Sequence, residues 1–150
     1  MSDTFKAAIG RKVVSSASAE ELGKIARLVV DVDTKKVTAL VLGKGRKARI
    51  VAWEALSGFG PDAIMVNHES GLREATDEMD HRAVDGALEL IGKRALTELG
   101  NEIGTIDDVE FDPVDGTLEV LLVGKQKHPA TTLLGNGSYA AVLDRSTDPA

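Results

Sequence analysis

The sequence predicts a mainly β protein: two small, strongly bent β-barrels in tandem, joined by a short helical and extended linker. Three observations lead to this prediction. Short apolar segments alternate with acidic residues, glycine-containing turns separate those segments, and the same order of segments appears twice. Alternation is typical of strands with one buried and one solvated face, and barrel closure removes the exposed edges of short strands. A chain of 150 residues is long enough for one ordinary domain or for two very small ones.

The composition indicates a soluble protein with an aliphatic core. Hydrophobic residues make up 43% of the chain and charged residues 28%, but aromatic residues only 3%, so the core has to consist of Val, Leu, Ile and Ala. There is no cysteine, which excludes disulfides, thiolate metal sites and a cysteine nucleophile. No apolar run approaches the roughly 20 residues of a membrane span. Residues 1–10 do not resemble a secretory signal, so we expect a cytoplasmic location.

Each copy of the repeat contains a short strand, a longer strand and a third strand. These segments are 10–14, 24–33 and 37–43 in the first copy and 92–96, 102–112 and 118–124 in the second, so the spacing is 82, then 78, then 81 residues. Each copy ends in a further strand, 63–66 and 139–142, after a glycine-containing turn. The second copy is about five residues shorter before this ending, which predicts a truncated penultimate strand.

This alignment pairs core residues across the two copies and places Trp53 in the core or between the barrels. It leaves the first copy without two glycines of the second, because Ala26 stands opposite Gly104 and the turn at 33–36 has no counterpart of Gly116. The predicted core pairs are Ile25/Ile103, Val30/Val109, Val32/Phe111 and Leu40/Leu121.

The repeat divides the chain into four segments: a first repeat at 1–70, a linker at 71–91, a second repeat at 92–143 and a tail at 144–150. Apolar residues of the linker lie near helical spacing from Leu72 to Ala83, and Gly86 interrupts the pattern. We therefore predict a short helix followed by an extended segment. The tail is polar and contains a proline, so we expect it to be disordered.

The order of these motifs resembles the PRC-barrel domain family. The second copy carries the better match: a glycine and a basic residue at Gly92 and Lys93, a later glycine at Gly104, and a strand-ending Asp112 before Gly116. The first copy keeps the family-like ending over 51–66. The resemblance implies strongly bent barrels that dock to other macromolecules without catalysis. The family includes a domain of a photosynthetic reaction-centre subunit, a domain of the ribosome maturation factor and stand-alone prokaryotic proteins, and fold analogy does not choose among their partners.

Residues that carry chemistry are few. His68, His81 and His128 lack the i, i+4 spacing of a helical metal motif, and the acidic residues lack the order of a calcium loop. We expect Asp33 and Asp112 to bind turn backbone instead. The chain has no phosphate-binding loop and no nucleophile elbow. We therefore expect no catalytic residue, no metal, no cofactor and no enzyme activity; a site assembled only in three dimensions from histidines and a carboxylate stays open.

Charge is distributed unevenly along the chain. The net charge is −6, yet residues 1–75 carry 12 basic and 9 acidic side chains, whereas residues 76–150 carry 6 and 15. Such asymmetry reflects either a partner surface or chance variation between solvated surfaces. The densest basic segment is 44–49, here called the basic loop, which lies between two predicted strands. Its cations are Lys44, Arg46, Lys47 and Arg49.

The basic loop is the candidate partner-binding site. It fits an acidic protein partner, including the acidic half of a second copy of this chain. It also fits RNA, DNA or acidic lipid, or a solvated hairpin whose charges prevent edge-to-edge association. Nucleic-acid binding is the weaker functional option, because no aromatic residue lies between Val37 and Ala52 for base stacking and the chain is net acidic. The sequence predicts a non-catalytic protein–protein docking module, with an RNA- or ribosome-associated factor as the alternative.

Overall fold

The computed structural model describes residues 2–149, which form fourteen β-strands and two α-helices. The first repeat and its leading segment contain β1 Asp3–Thr4, α1 Phe5–Ala8, β2 Lys12–Ser15, β3 Glu21–Asp31, β4 Lys36–Leu42, β5 Arg49–Ala52, β6 Leu56–Phe59 and β7 Ala63–Val66. The linker contains β8 Leu72–Arg73 and the predicted helix, α2 Glu78–Asp85. The second repeat contains β9 Arg94–Thr97, β10 Glu102–Phe111, β11 Leu118–Val123, β12 Gln126–Pro129, β13 Leu133–Asn136 and β14 Ala141–Leu143.

The mainly β prediction is confirmed, and each repeat forms one sheet. The first sheet has the order β6-β7-β2-β3-β4-β5-β8, and the second has β12-β11-β10-β9-β14-β13 with β1 added beside β10. Within residues 2–149, hydrogen bonds do not join the outermost strands of either sheet, so neither sheet closes into the barrel that we predicted. Register shifts in β3 and β10 let each long strand bend and pair with two different neighbours along its length.

One apolar core contains buried residues from both repeats. At its centre, the ring of Phe111 meets the edges of two rings from the first half of the chain, with centroids 5.5 Å from Phe5 and 5.3 Å from Phe59. Trp53 is half-buried and stacks on Phe59 at 5.3 Å. A Cβ atom on Gly116 would lie only 3.3 Å from Trp53 Cε2. Trp53 therefore lies between the repeats, as predicted.

The core pairs of the long strands follow a constant offset of 81 residues. Ile25 and Ile106 define this offset, because their carbonyl groups accept equivalent hydrogen bonds. Gly10 N donates to Ile25 O at 2.7 Å, and Gly92 N donates to Ile106 O at 2.8 Å. The predicted pairs Ile25/Ile103, Val30/Val109 and Val32/Phe111 are wrong, because the prediction aligned the two long strands by their acidic ends. Two of these residues, Ile103 and Val32, are only half-buried. The pairs that share buried positions are Ile25/Ile106, Leu28/Val109, Val30/Phe111 and Leu40/Leu121.

The ends of the repeats also match in a register that differs from the prediction. Parallel pairing places Ile64 beside Val13 and Ala141 beside Ala95, so residues 63–66 correspond to 140–143 rather than to 139–142. A shift of one residue exchanges the two faces of a strand. The shortening of the second copy does not truncate a strand either, because β12 and β13 have four residues each, as β5 and β6 do.

The counterpart of Gly104 in the first repeat is Gly23, not Ala26 as predicted. Gly23 and Gly104 have φ values of 150° and 138°. A Cβ atom would lie 3.3 Å from Leu42 Cδ2 at the first position and 3.2 Å from Val123 Cγ1 at the second. Both sites therefore need a glycine, for conformation and for space.

The segment that precedes each repeat packs against the other repeat. Strand β1 pairs with β10, and Asp108 accepts a hydrogen bond from Lys6 N at 3.0 Å. At the equivalent position of the first repeat, Arg27 donates to Val84 O at 3.1 Å and pairs with Glu89 at 2.5 Å. This reciprocal packing, together with the shared core, predicts that the two repeats unfold as one unit.

The tail is ordered where the structure describes it, contrary to our prediction. Residues Arg145–Thr147 form a 3-10 turn, in which the side chain of Asp144 accepts from Ser146 N, and Thr147 is buried. Asp148 accepts hydrogen bonds from Thr97 at 2.8 Å and from Asn101 at 2.7 Å. These contacts pin the polar tail to the β9–β10 turn, and Ala150 lies outside the described residues.

Candidate functional site

The connection that carries the basic loop is longer than its counterpart in the second repeat. Residues 43–48 join β4 to β5, whereas Gly124 and Lys125 alone join β11 to β12. Both connections link antiparallel neighbours with four paired positions. The four additional residues of the first repeat are therefore not needed to form the hairpin, and the longer connection carries three of the four cations of the basic loop.

Local packing fixes the shape of the basic loop. Gly45–Lys47 form a 3-10 turn, and Ala48 N closes it by donating to Gly45 O at 3.1 Å. Ala48 is buried among Val41, Ile50 and Ala83, so it anchors the loop between the sheet and α2. The turn is thus held at its base while its charged residues project away from it.

The structure separates the four predicted site residues into two groups. Lys44, Arg46 and Lys47 are exposed, and within residues 2–149 none of them forms an ion pair. Arg49 is half-buried, pairs with Glu74 at 3.3 Å and donates to Ala48 O at 3.0 Å. The first three cations are available to a partner, whereas Arg49 anchors the loop.

Three other basic residues of the first repeat are engaged within the chain. Lys12 lies 3.5 Å from Glu21, and the ammonium group of Lys35 donates to Val32 O at 3.0 Å. Arg11 pairs with Asp3 at 2.7 Å. They add little free charge to the basic loop, because their donors are directed at partners within the chain.

The basic residue that follows the leading glycine of each repeat has a structural role. Arg11 donates to Gly60 O at 3.0 Å, and Lys93 donates to Gly137 O at 2.7 Å, which is the same turn carbonyl of the other repeat. Lys93 also reaches Ala87 O at 2.7 Å and the side chain of Asn136 at 3.1 Å. Burial lowers the pKa of Lys93, but three acceptors satisfy its ammonium group. These two residues fasten turns and are not free to bind a partner.

A depression of about 430 Å³ lies between the basic loop and α2. Its polar lining is mixed, with Arg46 and His81 facing Glu74 and Asp85. Glu74 is engaged by Arg49, as described above. The mixture gives the depression no strong preference for one sign of ligand, so the exposed cations at the rim dominate the electrostatics of this region.

The residues considered for catalysis or metal binding serve the backbone or face solvent. The ring of His68 accepts from Ser70 N at 3.1 Å and caps a 3-10 turn. Asp112 accepts from Val114 N at 2.8 Å, as predicted. In the first repeat the acceptor is Asp31, 3.1 Å from Asp33 N, rather than Asp33 itself. Among residues 2–149, no three histidines or carboxylates come together as a metal site, and no helix is long and apolar enough to cross a membrane.

Comparison with known proteins agrees with this duplicated architecture. The model of the PRC-barrel domain family matches the chain twice, over residues 6–72 and 85–140. The second match begins at the end of α2 and so includes the segment that leads into the second repeat. No curated protein shows significant similarity to the chain.

Proposed function

This chain belongs to the PRC-barrel domain family, and we propose that it is a non-catalytic docking module that binds an acidic surface of a protein partner through the basic loop. One observation carries the proposal. The connection from β4 to β5 is four residues longer than its counterpart in the second repeat, and it presents three exposed cations that form no ion pair within the described residues. A feature that the fold does not require is free to serve a binding role.

The electrostatics of the molecule favour a compact contact with an acidic protein. The net charge of −6 opposes a broad phosphate footprint, whereas three clustered cations suit a local acidic patch. Trp53 is the aromatic residue nearest to the loop in sequence, and it is stacked on Phe59 rather than presented to solvent for base stacking. Exposed charges are screened over about 8–10 Å at physiological salt, so we expect salt to weaken the complex.

The test reverses the exposed cations and leaves the anchor in place. The variant is Lys44→Glu, Arg46→Glu, Lys47→Glu. The matched control is Lys6→Glu, Lys36→Glu, Lys125→Glu, which makes the same change in net charge at three other exposed positions. Each protein is used to capture partners from a native lysate of the source organism, with and without nuclease and at low and high salt, followed by mass spectrometry.

We expect nuclease-resistant protein partners with the wild type and the control, and their loss from the loop variant and at high salt. The same partners on the loop variant would contradict the proposal. Partners that disappear with nuclease would favour the RNA- or ribosome-associated alternative.

A further inference from the structure

A second depression, of about 410 Å³, lies where the start of the basic loop meets β3 and the residues that follow α1. We call it the cationic depression. Among residues 2–149, all charged residues that line it are basic, whereas the depression beside α2 is lined by charges of both signs. The apolar part of its lining is Ile9, Ile25 and Ala26, the charged part is Lys24, Arg27 and Lys44, and Gly10 and Gly43 complete it.

The apolar part of the cationic depression is open to a ligand. Ile9 packs against the core but is only half-buried, and Ala26 is half-buried too. Ala26 is the bulge residue of β3, between the positions opposite Leu42 and Val41. A Cβ atom on Gly10 would meet nothing within 4 Å, so this wall is open. The volume of the depression falls within the roughly 300–1,000 Å³ of typical ligand pockets, which is enough for an aliphatic side chain.

Two cations of the depression are free to bind a ligand. Lys24 and Lys44 are both exposed, and neither takes part in an ion pair within the described residues. Arg27, by contrast, pairs with Glu89 of the linker. Glu21, the acidic residue of β3 nearest to Lys24 in sequence, is paired with a lysine of β2. The ammonium groups of Lys24 and Lys44 are therefore available to carboxylates of a partner.

The second repeat shows that the fold does not require this combination of residues. With the offset of 81 residues, the bulge residue is Ala26 in β3 and Asp107 in β10. The next position is Arg27 in one repeat and Asp108 in the other, and a threonine stands in place of Lys24. The same bulged backbone is thus formed with acidic residues, so the apolar and cationic character of the first repeat is available for binding.

We propose that the cationic depression binds an acidic segment of the protein partner in which an aliphatic residue is flanked by carboxylates. The aliphatic side chain lies against Ile9 and Ala26, and the flanking carboxylates accept hydrogen bonds from Lys24 and Lys44. Charge complementarity selects this occupant, since among residues 2–149 no carboxylate lines the depression. This inference rests on the proposed function, and it adds the chemistry of the segment that the partner presents.

The two parts of the depression have different tasks. An exposed ion pair contributes little to affinity, because water and salt screen it. Burial of an aliphatic side chain contributes more, because it removes apolar surface from water. The apolar lining therefore supplies affinity, whereas the lysines exclude basic segments and select acidic ones.

The test uses synthetic peptides as probes of the full chain. The probe is acetylated and amidated Asp-Glu-Leu-Glu-Asp, and its matched control has serine in place of leucine. Amide chemical shifts of the ¹⁵N-labelled protein are followed at low salt, up to about 5 mM peptide, which covers weak binding. We expect saturable shifts at Gly10, Ala26 and Gly43, and at least about tenfold weaker binding of the serine peptide, because it buries no aliphatic side chain.

Protein variants test both parts of the depression. Ala26→Asp introduces the residue that the second repeat has at this position, and Lys24→Glu reverses a free cation. The matched control is Lys125→Glu, which reverses the exposed lysine that corresponds to Lys44 in the second repeat. We expect Ala26→Asp and Lys24→Glu to weaken binding of the leucine peptide at least about tenfold, and the control to change it less than about twofold. Circular dichroism confirms that each variant is folded.

The outcomes separate this inference from the proposed function. The inference is overturned if the leucine peptide does not bind, if the serine peptide binds equally well, or if an oligothymidylate of equal charge competes equally for the same amides. Capture of partners by Ala26→Asp and Lys24→Glu, together with loss of capture on reversal of Lys44, Arg46 and Lys47, would also overturn it and leave the docking function standing. If the peptide binds as expected but partners persist on the loop variant, the proposed function fails and the site for acidic segments stands.

Discussion

The outer faces of the two long hairpins are covered in different ways. In the first repeat, Val41 and Ile50 on the outer face pack against Ala83 of α2, with Val29 and Ala39 beside them. Strand β8 also pairs with β5 and covers that edge of the sheet. In the second repeat the corresponding outward positions are Glu110, Val120, Leu122 and Lys127. No helix or strand among residues 2–149 takes the place of α2 and β8 there.

This difference shows that the same hairpin backbone can have an apolar outer face covered by a helix or an uncovered outer face that carries charged residues. Glu110 and Lys127 lie 3.6 Å apart across the second hairpin, and Lys127 and Pro129 protect the open edge of β12. The inward positions, by contrast, are apolar in both repeats, because both contribute to one core. The inner faces of the two repeats are therefore both apolar, whereas their outer faces differ in composition.

The largest expected effect tests the shared inner face. Phe111 is fully buried and occupies the position that Val30 occupies in the first repeat. Phe111→Ala removes the ring that joins Phe5 and Phe59, so we expect the free energy of unfolding to fall by about 3–5 kcal/mol. Val30→Ala removes only two methyl groups and should cost about 1–2 kcal/mol. Urea denaturation measures both losses of stability. Equal losses from the two variants would contradict the larger contribution of Phe111 to the shared core.

The next effect tests how α2 is fastened over the first repeat, an arrangement that has no counterpart over the second within residues 2–149. Asp80 accepts hydrogen bonds from Arg73 at 2.6 and 3.0 Å and from Thr76 N at 3.0 Å, and this cluster joins β8 to α2. Asp80→Asn should reduce the free energy of unfolding by about 1–2 kcal/mol at neutral pH, because it weakens charged hydrogen bonds at a half-exposed arginine.

The effect of Asp80→Asn should depend on pH. The hydrogen bonds from Arg73 hold the pKa of Asp80 well below its ordinary value of 3.8. A group whose pKa is lowered by folding contributes stability that is complete above its unfolded pKa and is lost as the pH falls through its folded pKa. The difference between wild type and variant in urea denaturation should therefore be constant from neutral pH down to about 5 and shrink below about 4. A difference that grows in acid would contradict this role.

The last comparison concerns equivalent turns with different residues, and its Lys35→Gly variant has the smallest expected effect. Lys35 has a φ of 56° and stands where the second repeat has Gly116, with a φ of 81°. The turn bonds are the same, since Lys35 N donates to Asp31 O at 2.8 Å and Gly116 N donates to Asp112 O at 2.7 Å. Lys35→Gly relieves left-handed strain of about 1 kcal/mol but adds chain entropy to the unfolded state, so we expect a gain of about 0.5 kcal/mol or less.

The reverse exchange should be unfavourable. A Cβ atom on Gly116 would lie 3.1 Å from Val37 O and 3.3 Å from Trp53. Gly116→Ala should therefore lower the free energy of unfolding by about 1–3 kcal/mol. Thermal unfolding of both variants measures the contrast, and a stabilised Gly116→Ala would refute the close packing of this turn between the repeats.

Part of the fold could be predicted from the sequence because part of the information is local. Alternation along 24–33 and 102–112 identified the long strands, and Gly86 marked the end of the helix that the structure places at Glu78–Asp85. The register could not be predicted. The bulges of β3 and β10 shift the pairing, and the acidic ends Asp33 and Asp112 suggested an offset that the hydrogen bonds of Ile25 and Ile106 contradict.

The candidate site was predictable to a similar extent. The four cations of the basic loop are adjacent in sequence, so their clustering needed no structure. That Arg49 pairs with Glu74 depends on β8 lying beside β5, and β8 is a two-residue strand that no pattern of alternation indicates. The pairing of Leu96 with Val142 was not predicted either, because the two residues are far apart in sequence and become neighbours only when β14 pairs with β9.

The sequence by itself determined that the chain is a duplicated, strand-rich protein with an aliphatic core, a helix between the copies and one cationic loop. The tertiary structure alone decided the register of the copies, the packing of each leading segment against the other repeat, and the division of the loop into three exposed cations and one anchor. The physical reason is that periodicity and composition are properties of neighbouring residues. Pairing and bulges, in contrast, are selected by the free energy of contacts between segments that are distant in the chain.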